Sequence, residues 1–356
     1  MTPQLDRLFQ RVAADRASDL HLIVGLPPSL RVNGEIILTD SDAFTAAEST
    51  QLVQTLLNPV QREVFERDWE LCISRHHPTV GRMRITLYRR NGLPELSIRF
   101  CGTRAYTREE LGLPAKLDDL ARKQKGLILV TGATGSGKTT TLNYLINLIN
   151  HERRCKIVTI EDPIEFVHEN NRAIIVQQEV LTDTRSFSSA LIHALRQDPD
   201  VIVVGEMRDH AAISTALLAA ETGHLVLATL HSPSTSQALE RIISIFEGNA
   251  QRQIIVQLAN TLQGIIYQDL LPSVDGGRAL ACELLVANVA VRNTIREGQF
   301  HQLENCLQTG VREGMVLLDT SLHDLYLKCK ITRDTAMHRA RYPDLFAKRT
   351  GGSPGS

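Results

Sequence analysis

The sequence predicts an α/β fold, a parallel sheet covered by helices and preceded by a smaller α+β domain, and three observations carry that expectation. A glycine-rich segment, Gly132 to Thr139 (GATGSGKT), stands between the apolar run 127–130 and a stretch that places Leu142, Leu145, Ile146 and Ile149 on one helical face. Further apolar runs at 157–160, 201–204 and 225–230 alternate with helical segments, the pattern of parallel strands joined through helices. Upstream, Asn33-Gly34 and Asn91-Gly92 each sit between short strand-like stretches, and Asn-Gly is the dipeptide that most readily closes a tight hairpin.

Taken in order, Leu5, Leu8, Phe9 and Val12 have the i, i+3, i+4, i+7 spacing of an amphipathic helix, and 20–24 follows as a strand. Residues 29–38 predict a first hairpin. A second spans 82–100, with Met83, Ile85 and Leu87 alternating against Arg82, Arg84 and Thr86. Residues 1–101 are therefore expected to form the small domain. Gly102, Gly112 and Pro114 break the periodicity, which marks 102–115 as a linker. The larger domain is expected over 116–350, helical from Val289 onward, and 351–356 (GGSPGS) reads as a flexible tail.

A chain of 356 residues is long for one domain, so two are expected. Its 39 basic and 40 acidic residues argue against a globally cationic nucleic-acid binder. Six scattered cysteines without a C-x-x-C pair fit a reduced intracellular protein better than a disulfide framework or zinc site. The N-terminus has no signal-type apolar core, and no run of about 18 apolar residues occurs. A cytosolic protein that reaches a membrane only through a partner is expected.

The spacing G-x-x-x-x-G-K-[ST] is that of a phosphate-binding loop, here Gly132, Ala133, Thr134, Gly135, Ser136, Gly137, Lys138 and Thr139, followed by Thr140. Its glycines let backbone N–H groups approach phosphate oxygens, and the start of the following helix favours an anion. Lys138 is expected on the β- and γ-phosphates, with the Thr139 hydroxyl on Mg²⁺. The segment 159–165 (TIEDPIE) ends an apolar strand with carboxylates, which puts Glu161 and Asp162 near a nucleotide, a solvated acidic turn being the alternative. Segment 198–209 (DPDVIVVGEMRD) resembles a Walker B strand with glycine in the usual aspartate position. Glu206 then becomes the carboxylate to orient or deprotonate water. His224 and His231 bracket another apolar strand, and His231, at its carboxyl end, is suited to sense a γ-phosphate. Arg82, Arg84 and Arg99 on the second hairpin are either solubilising surface groups or arginine fingers supplied across a subunit boundary, worth roughly 10³–10⁵ in rate.

Together these segments resemble the secretion and type IV pilus ATPase superfamily and, within it, the pilus retraction ATPases of the PilT family. The resemblance runs over about 1–340 and rests on ASDLHLIVGLPPSLRVNGEI (17–36), the phosphate loop, TIEDPIEFVH (159–168), DPDVIVVGEMRD, TGHLVLATLHS (222–232) and AVRNTIRE (290–297). The last is similar to a motif typical of retraction enzymes, and the four-cysteine zinc element of assembly ATPases is absent. The resemblance implies a RecA-like ATPase domain preceded by a PAS-like domain, ATP and Mg²⁺ as ligands, and a homo-hexamer. It implies Glu161 as the Mg²⁺- or water-organising carboxylate, Glu206 as the catalytic glutamate, and His224 and His231 as His-box residues. Arg82, Arg84 and Arg99 become γ-phosphate contacts. An inner-membrane platform protein and a second pilus ATPase are implied as partners, with the motor peripheral at the cytoplasmic face. Gln178, Leu181, Ile192 and Thr86 depart from the family pattern of arginine, glycine, arginine and asparagine, and bear on coupling between subunits.

Three rivals stay open at this level. One is a secretion or pilus-extension ATPase of the same superfamily. Another is a RecA-like translocase, which predicts excess positive charge and stacking aromatics along a channel, against balanced charge and 4% aromatic content here. The third is a non-hydrolysing scaffold, disfavoured by intact Lys138, Thr139, Glu161 and Glu206.

Overall fold

In the computed structural model of the chain, α1 (Pro3–Asp15) turns Leu5, Leu8, Phe9 and Val12 into one buried stripe, as their spacing dictates. Residues 3–102, 104–207, 209–344 and 346 are described, and the closing segment 351–356 lies outside them. Contacts divide the chain into two units. One comprises Met1–Arg104, Ile160–Glu169 and Gln177–Ala190, the other Ala105–Thr159, Asn170–Val176 and Leu191–Ser356.

In the first unit α1 is followed by β1 (Asp19–Leu22), β2 (Ser29–Val32), β3 (Glu35–Leu38), α2 (Ala46–Leu56), α3 (Pro59–Asp68), β4 (Glu70–His77), β5 (Gly81–Arg90) and β6 (Leu93–Phe100). The strands form one antiparallel sheet in the order β3-β2-β1-β6-β5-β4. Both Asn-Gly turns place both central residues at positive φ, Asn33 at 51° and Gly34 at 90°, Asn91 at 51° and Gly92 at 79°, the conformation that matches strand twist in a two-residue hairpin. The sequence reading did not anticipate α2, α3 and β4. Both helices carry full capping boxes, Thr45 with Glu48 and Asn58 with Gln61, so their starts were written locally.

From Arg108 onward the chain forms α4 (Arg108–Leu111), α5 (Lys116–Ala121), β7 (Gly126–Gly132), α6 (Lys138–Glu152), β8 (Lys156–Glu161), β9 (Ile174–Glu179), α7 (Phe187–Ala194), β10 (Val201–Val204), α8 (His210–Glu221), β11 (Leu225–Leu230), α9 (Thr235–Ser244) and α10 (Gly248–Thr261). Then come β12 (Leu262–Pro272), β13 (Arg278–Val286), α11 (Val289–Arg296), α12 (Leu303–Thr309), α13 (Leu318–Leu327) and α14 (Arg333–Arg339). The sheet order is β13-β12-β7-β11-β10-β8-β9. The pairs β12/β7, β7/β11 and β11/β10 are parallel, whereas β12/β13 is antiparallel. The sheet is thus mixed, and the fold is α/β. Leu142, Leu145, Ile146 and Ile149 of α6 are buried against β7 residues Ile128 and Val130, the face their spacing predicts.

The stretch 102–115, expected as a linker, contains α4, closed at its start by a Thr107–Glu110 capping box and at its end by Gly112 at φ 67°. Leu113, just beyond, is buried in the second unit's core. The glycine read as a break is a helix stop, and four helical residues are too few to show a period.

Candidate functional site

Three neighbouring parallel strands bring the principal residues together. In the sheet β11 lies between β7 and β10, with Thr131 opposite Leu230 and Val204 opposite Ala228, so all three end at one edge. The phosphate loop leaves β7, Gly205-Glu206 leaves β10, and His231 leaves β11.

Gly132, Gly135 and Gly137 sit at φ of 151°, 79° and 90°, a region other residues avoid. A Cβ on Gly132 would run into the Gln268 carbonyl and the Ser136 hydroxyl, whereas Gly135 and Gly137 face open space. Helix α6 starts at Gly137 without a side-chain cap, which leaves its first-turn N–H groups for an anion. The Ser136 hydroxyl is buried with no hydrogen-bond partner. An open cradle, an uncapped helix start and an orphaned hydroxyl fit a nucleotide phosphate chain. Ala133, Thr134 and Thr139 are exposed and Thr140 is half-buried. Thr139 and Glu161 both offer oxygen donors, the type that Mg²⁺ takes.

Lys138 is buried, and its ammonium reaches three acceptors: Gly132 O at 2.9 Å, Ala133 O at 2.7 Å and His231 Nδ1 at 3.4 Å. Desolvation pulls its pKa below the usual lysine value, opposed by the negative charge of Glu206. An ammonium can only donate, so His231 Nδ1 accepts and the imidazole proton resides on Nε2. That nitrogen lies 3.1 Å from Glu206 Oε1. Backbone contacts hold the frame: Arg241 Nη1 donates to His231 O at 2.8 Å, Met207 N to Thr229 O at 3.0 Å, and the Thr229 hydroxyl to Gly205 O.

Sequence reasoning missed Gln268, because β12 was not anticipated. This residue pairs with Gly132 across β12/β7, is almost fully buried, and donates from Nε2 to Thr141 Oγ1 at 2.7 Å.

The structure does not bring His224 to the phosphate loop of its own chain. It precedes β11, one strand length from His231, and its Nδ1 lies 3.0 Å from Ala219 O. At about 3.3 Å per residue the two histidines are roughly 20 Å apart.

The remaining residues belong to the first unit. Glu161 Oε1 accepts from Gln177 Nε2 at 3.0 Å. Arg82 Nη2 pairs with buried Glu179 Oε2 at 2.9 Å, and its Nε donates to Ile164 O at 2.9 Å. Arg84 and Arg99 stand directly opposite one another across β5/β6, a repulsive arrangement on its own. Each has an anion at hand, Arg84 with Glu165 at 2.9 Å and Arg99 with Asp19 at 3.0 Å. Of the two readings open for these arginines, that of a solubilising surface group does not describe Arg82, whose partner Glu179 is buried.

Residues 95–341 match the family model described as Type II/IV secretion system protein. The chain is similar to the type IV pilus retraction ATPase PilT of Pseudomonas aeruginosa, 40% identical over 334 residues, covering 94% of this chain and 97% of that protein. It is also 40% identical over 315 residues to a twitching motility protein of Neisseria gonorrhoeae, covering 88% and 84%. Among solved structures, the pilus retraction motor PilT with bound ADP gives a TM-score of 0.87 at 40% identity, covering 95% of this chain and 97% of that one. The Legionella pneumophila ATPase DotB gives 0.85 at 27% identity, covering 94% and 95%.

Proposed function

Because this chain belongs to the Type II/IV secretion system protein family and resembles pilus retraction ATPases along nearly its whole length, we propose that it is an ATP-hydrolysing motor that powers type IV pilus retraction. The observation that carries the chemistry is the meeting of Lys138, His231 and Glu206 at the ends of three adjoining parallel strands.

In this reading the first-turn N–H groups of α6 and the Lys138 ammonium bind the β- and γ-phosphates of ATP. Glu206 orients water and takes its proton, a role that needs a carboxylate within hydrogen-bond reach. His231, within reach of both residues, senses whether a γ-phosphate is present. Thr139 and Glu161 would hold Mg²⁺, which when bound neutralises charge on the phosphate oxygens. Arg84, Arg99 and Arg82 act towards a neighbouring subunit in a homo-hexameric ring, and His224 acts away from its own phosphate loop.

The ring works at the cytoplasmic face of the inner membrane on a platform protein, alongside a second pilus ATPase. In this reading the membrane is reached through that partner; no helix among the described residues is long and apolar enough to cross it. Deleting the gene tests the reading. Excess surface pili with loss of twitching is the expected phenotype, and cells without pili would favour an extension motor.

A further inference from the structure

Strand β9 carries two side chains that the phosphate-loop chemistry does not use, Gln177 and Glu179. Two residues apart, they share one face of the strand. Both reach the segment that follows β8. Gln177 Nε2 donates to Glu161 Oε1 at 3.0 Å and to Phe166 O at 2.8 Å, while its Oε1 accepts from His168 N at 2.9 Å. A single amide thereby spends both its donors and its acceptor on residues 161–168.

Glu179, 2% exposed, accepts from Ile164 N at 3.0 Å and from the Thr182 hydroxyl at 2.9 Å. Arg82 Nε donates to Ile164 O, so both backbone polar groups of Ile164 are held. The acidic segment is tied at 161, 164, 166 and 168 by two neighbouring β9 side chains and one arginine.

Of these ties, that of Gln177 reaches the Glu161 carboxylate itself. We propose that Gln177 is a positioning residue for Glu161: it fixes the direction of the carboxylate and holds the backbone on its far side. The inference rests on the reading of Glu161 as a Mg²⁺-organising group. A donor bonded to a ligating carboxylate sets its orientation, and loss of such a partner typically weakens metal affinity about 10- to 100-fold.

The test is nucleotide affinity, measured by titration with ADP in Mg²⁺ and again in EDTA. Gln177→Ala should lose about 10- to 100-fold in Mg²⁺ and bind as wild type in EDTA. Equal losses in both media, or no loss in either, would overturn the proposal. Gln177→Met keeps the side-chain volume but has no donor for Glu161. It should lose Mg²⁺-dependent affinity while binding as wild type in EDTA, and an unchanged Mg²⁺ dependence counts against the proposal even if the alanine variant fails to fold. Glu161→Gln separates the two readings. If it keeps wild-type Mg²⁺ dependence, Glu161 is not a metal group and the premise fails. If it loses that dependence while both Gln177 variants keep theirs, the positioning role alone is wrong.

Discussion

Glu206 Oε1 and His231 Nε2 lie 3.1 Å apart across the ends of neighbouring parallel strands β10 and β11. Through His231 Nδ1 the same ring reaches Lys138, so one imidazole stands between the lysine and the carboxylate. In the proposed reading, phosphate oxygens that draw Lys138 off Gly132 O and Ala133 O would also remove the donor to His231, and occupation of the phosphate loop would reach Glu206 through one side chain.

Lys138→Ala should weaken ATP binding. Glu206→Gln should keep binding while cutting turnover by about 10² or more, the scale of a lost acid–base group. Nucleotide titration together with steady-state hydrolysis separates the two, and full hydrolysis by Glu206→Gln would remove that residue from the mechanism.

The two histidines should behave differently. His231→Ala breaks the link between Lys138 and Glu206 and is expected to lower turnover at least about tenfold. His224→Ala, one strand length away, should leave nucleotide affinity as in wild type. A loss of affinity in the His224 variant equal to that of Lys138→Ala would place it at the phosphates.

Arg82→Ala removes the ion-pair partner of buried Glu179, which is expected to cost up to about 3–5 kcal/mol. Arg84→Ala and Arg99→Ala, with more exposed pairs, should each cost under about 1 kcal/mol. Denaturant unfolding measures the contrast. Complementation across subunits is therefore best tried with Arg84→Ala mixed with Lys138→Ala, where regained hydrolysis shows a shared site. Verified mixed rings that stay inactive argue against one.

Burial holds the His168 imidazole down at about 4, below its ordinary 6.5. The unfolded chain takes up this proton near pH 6.5 and the folded chain only near 4. Between those values the unfolded state binds more protons, so stability rises with pH across the window and is lost on acidification. His168→Asn removes this contribution. Wild-type stability relative to the variant should fall from pH 6.5 to 4 and level off above about 7.5. Parallel stability curves for the two proteins would show that His168 does not titrate this way.

Arg292 of α11 donates to Ala259 O at 2.8 Å and Asn260 O at 3.0 Å in the last turn of α10, and Arg296 bonds Asn260 Oδ1 at 3.2 Å. Arg292 is thus a cap for α10 instead of a solvated group, and Arg292→Ala should cost about 1–2 kcal/mol. Together with Asn293→Ala it should spare hydrolysis and ring assembly while cells carry pili yet do not twitch. Motility assays beside ATPase rates decide it, and a hydrolysis defect matching the motility defect would return these residues to the nucleotide cycle.

What could be read without coordinates was local in the chain. The Asn-Gly hairpins and the glycine loop before Lys138 depend on φ preferences and spacings within a few residues, and the buried face of α6 on a period of 3.6. Each segment therefore states its own conformation. Strands β12 and β13 carried no comparable mark, and Gln268 was hidden with them.

Leu181 shows the other side. It stands where the resemblance leads one to expect glycine, and its φ of 64° explains that preference. The leucine instead packs against the first unit's core, while Asn58 Nδ2 donates to its carbonyl at 3.3 Å. The chain by itself determined a phosphate loop, its strand and helix, and the carboxylates and histidines at later strand ends. Only the tertiary structure decided that His231 stands between Lys138 and Glu206, that Arg82 pairs with Glu179, and that Gln177 grips Glu161. Such partners lie 16 to 97 positions apart, and hydrogen bonds at that separation leave no periodic trace in sequence.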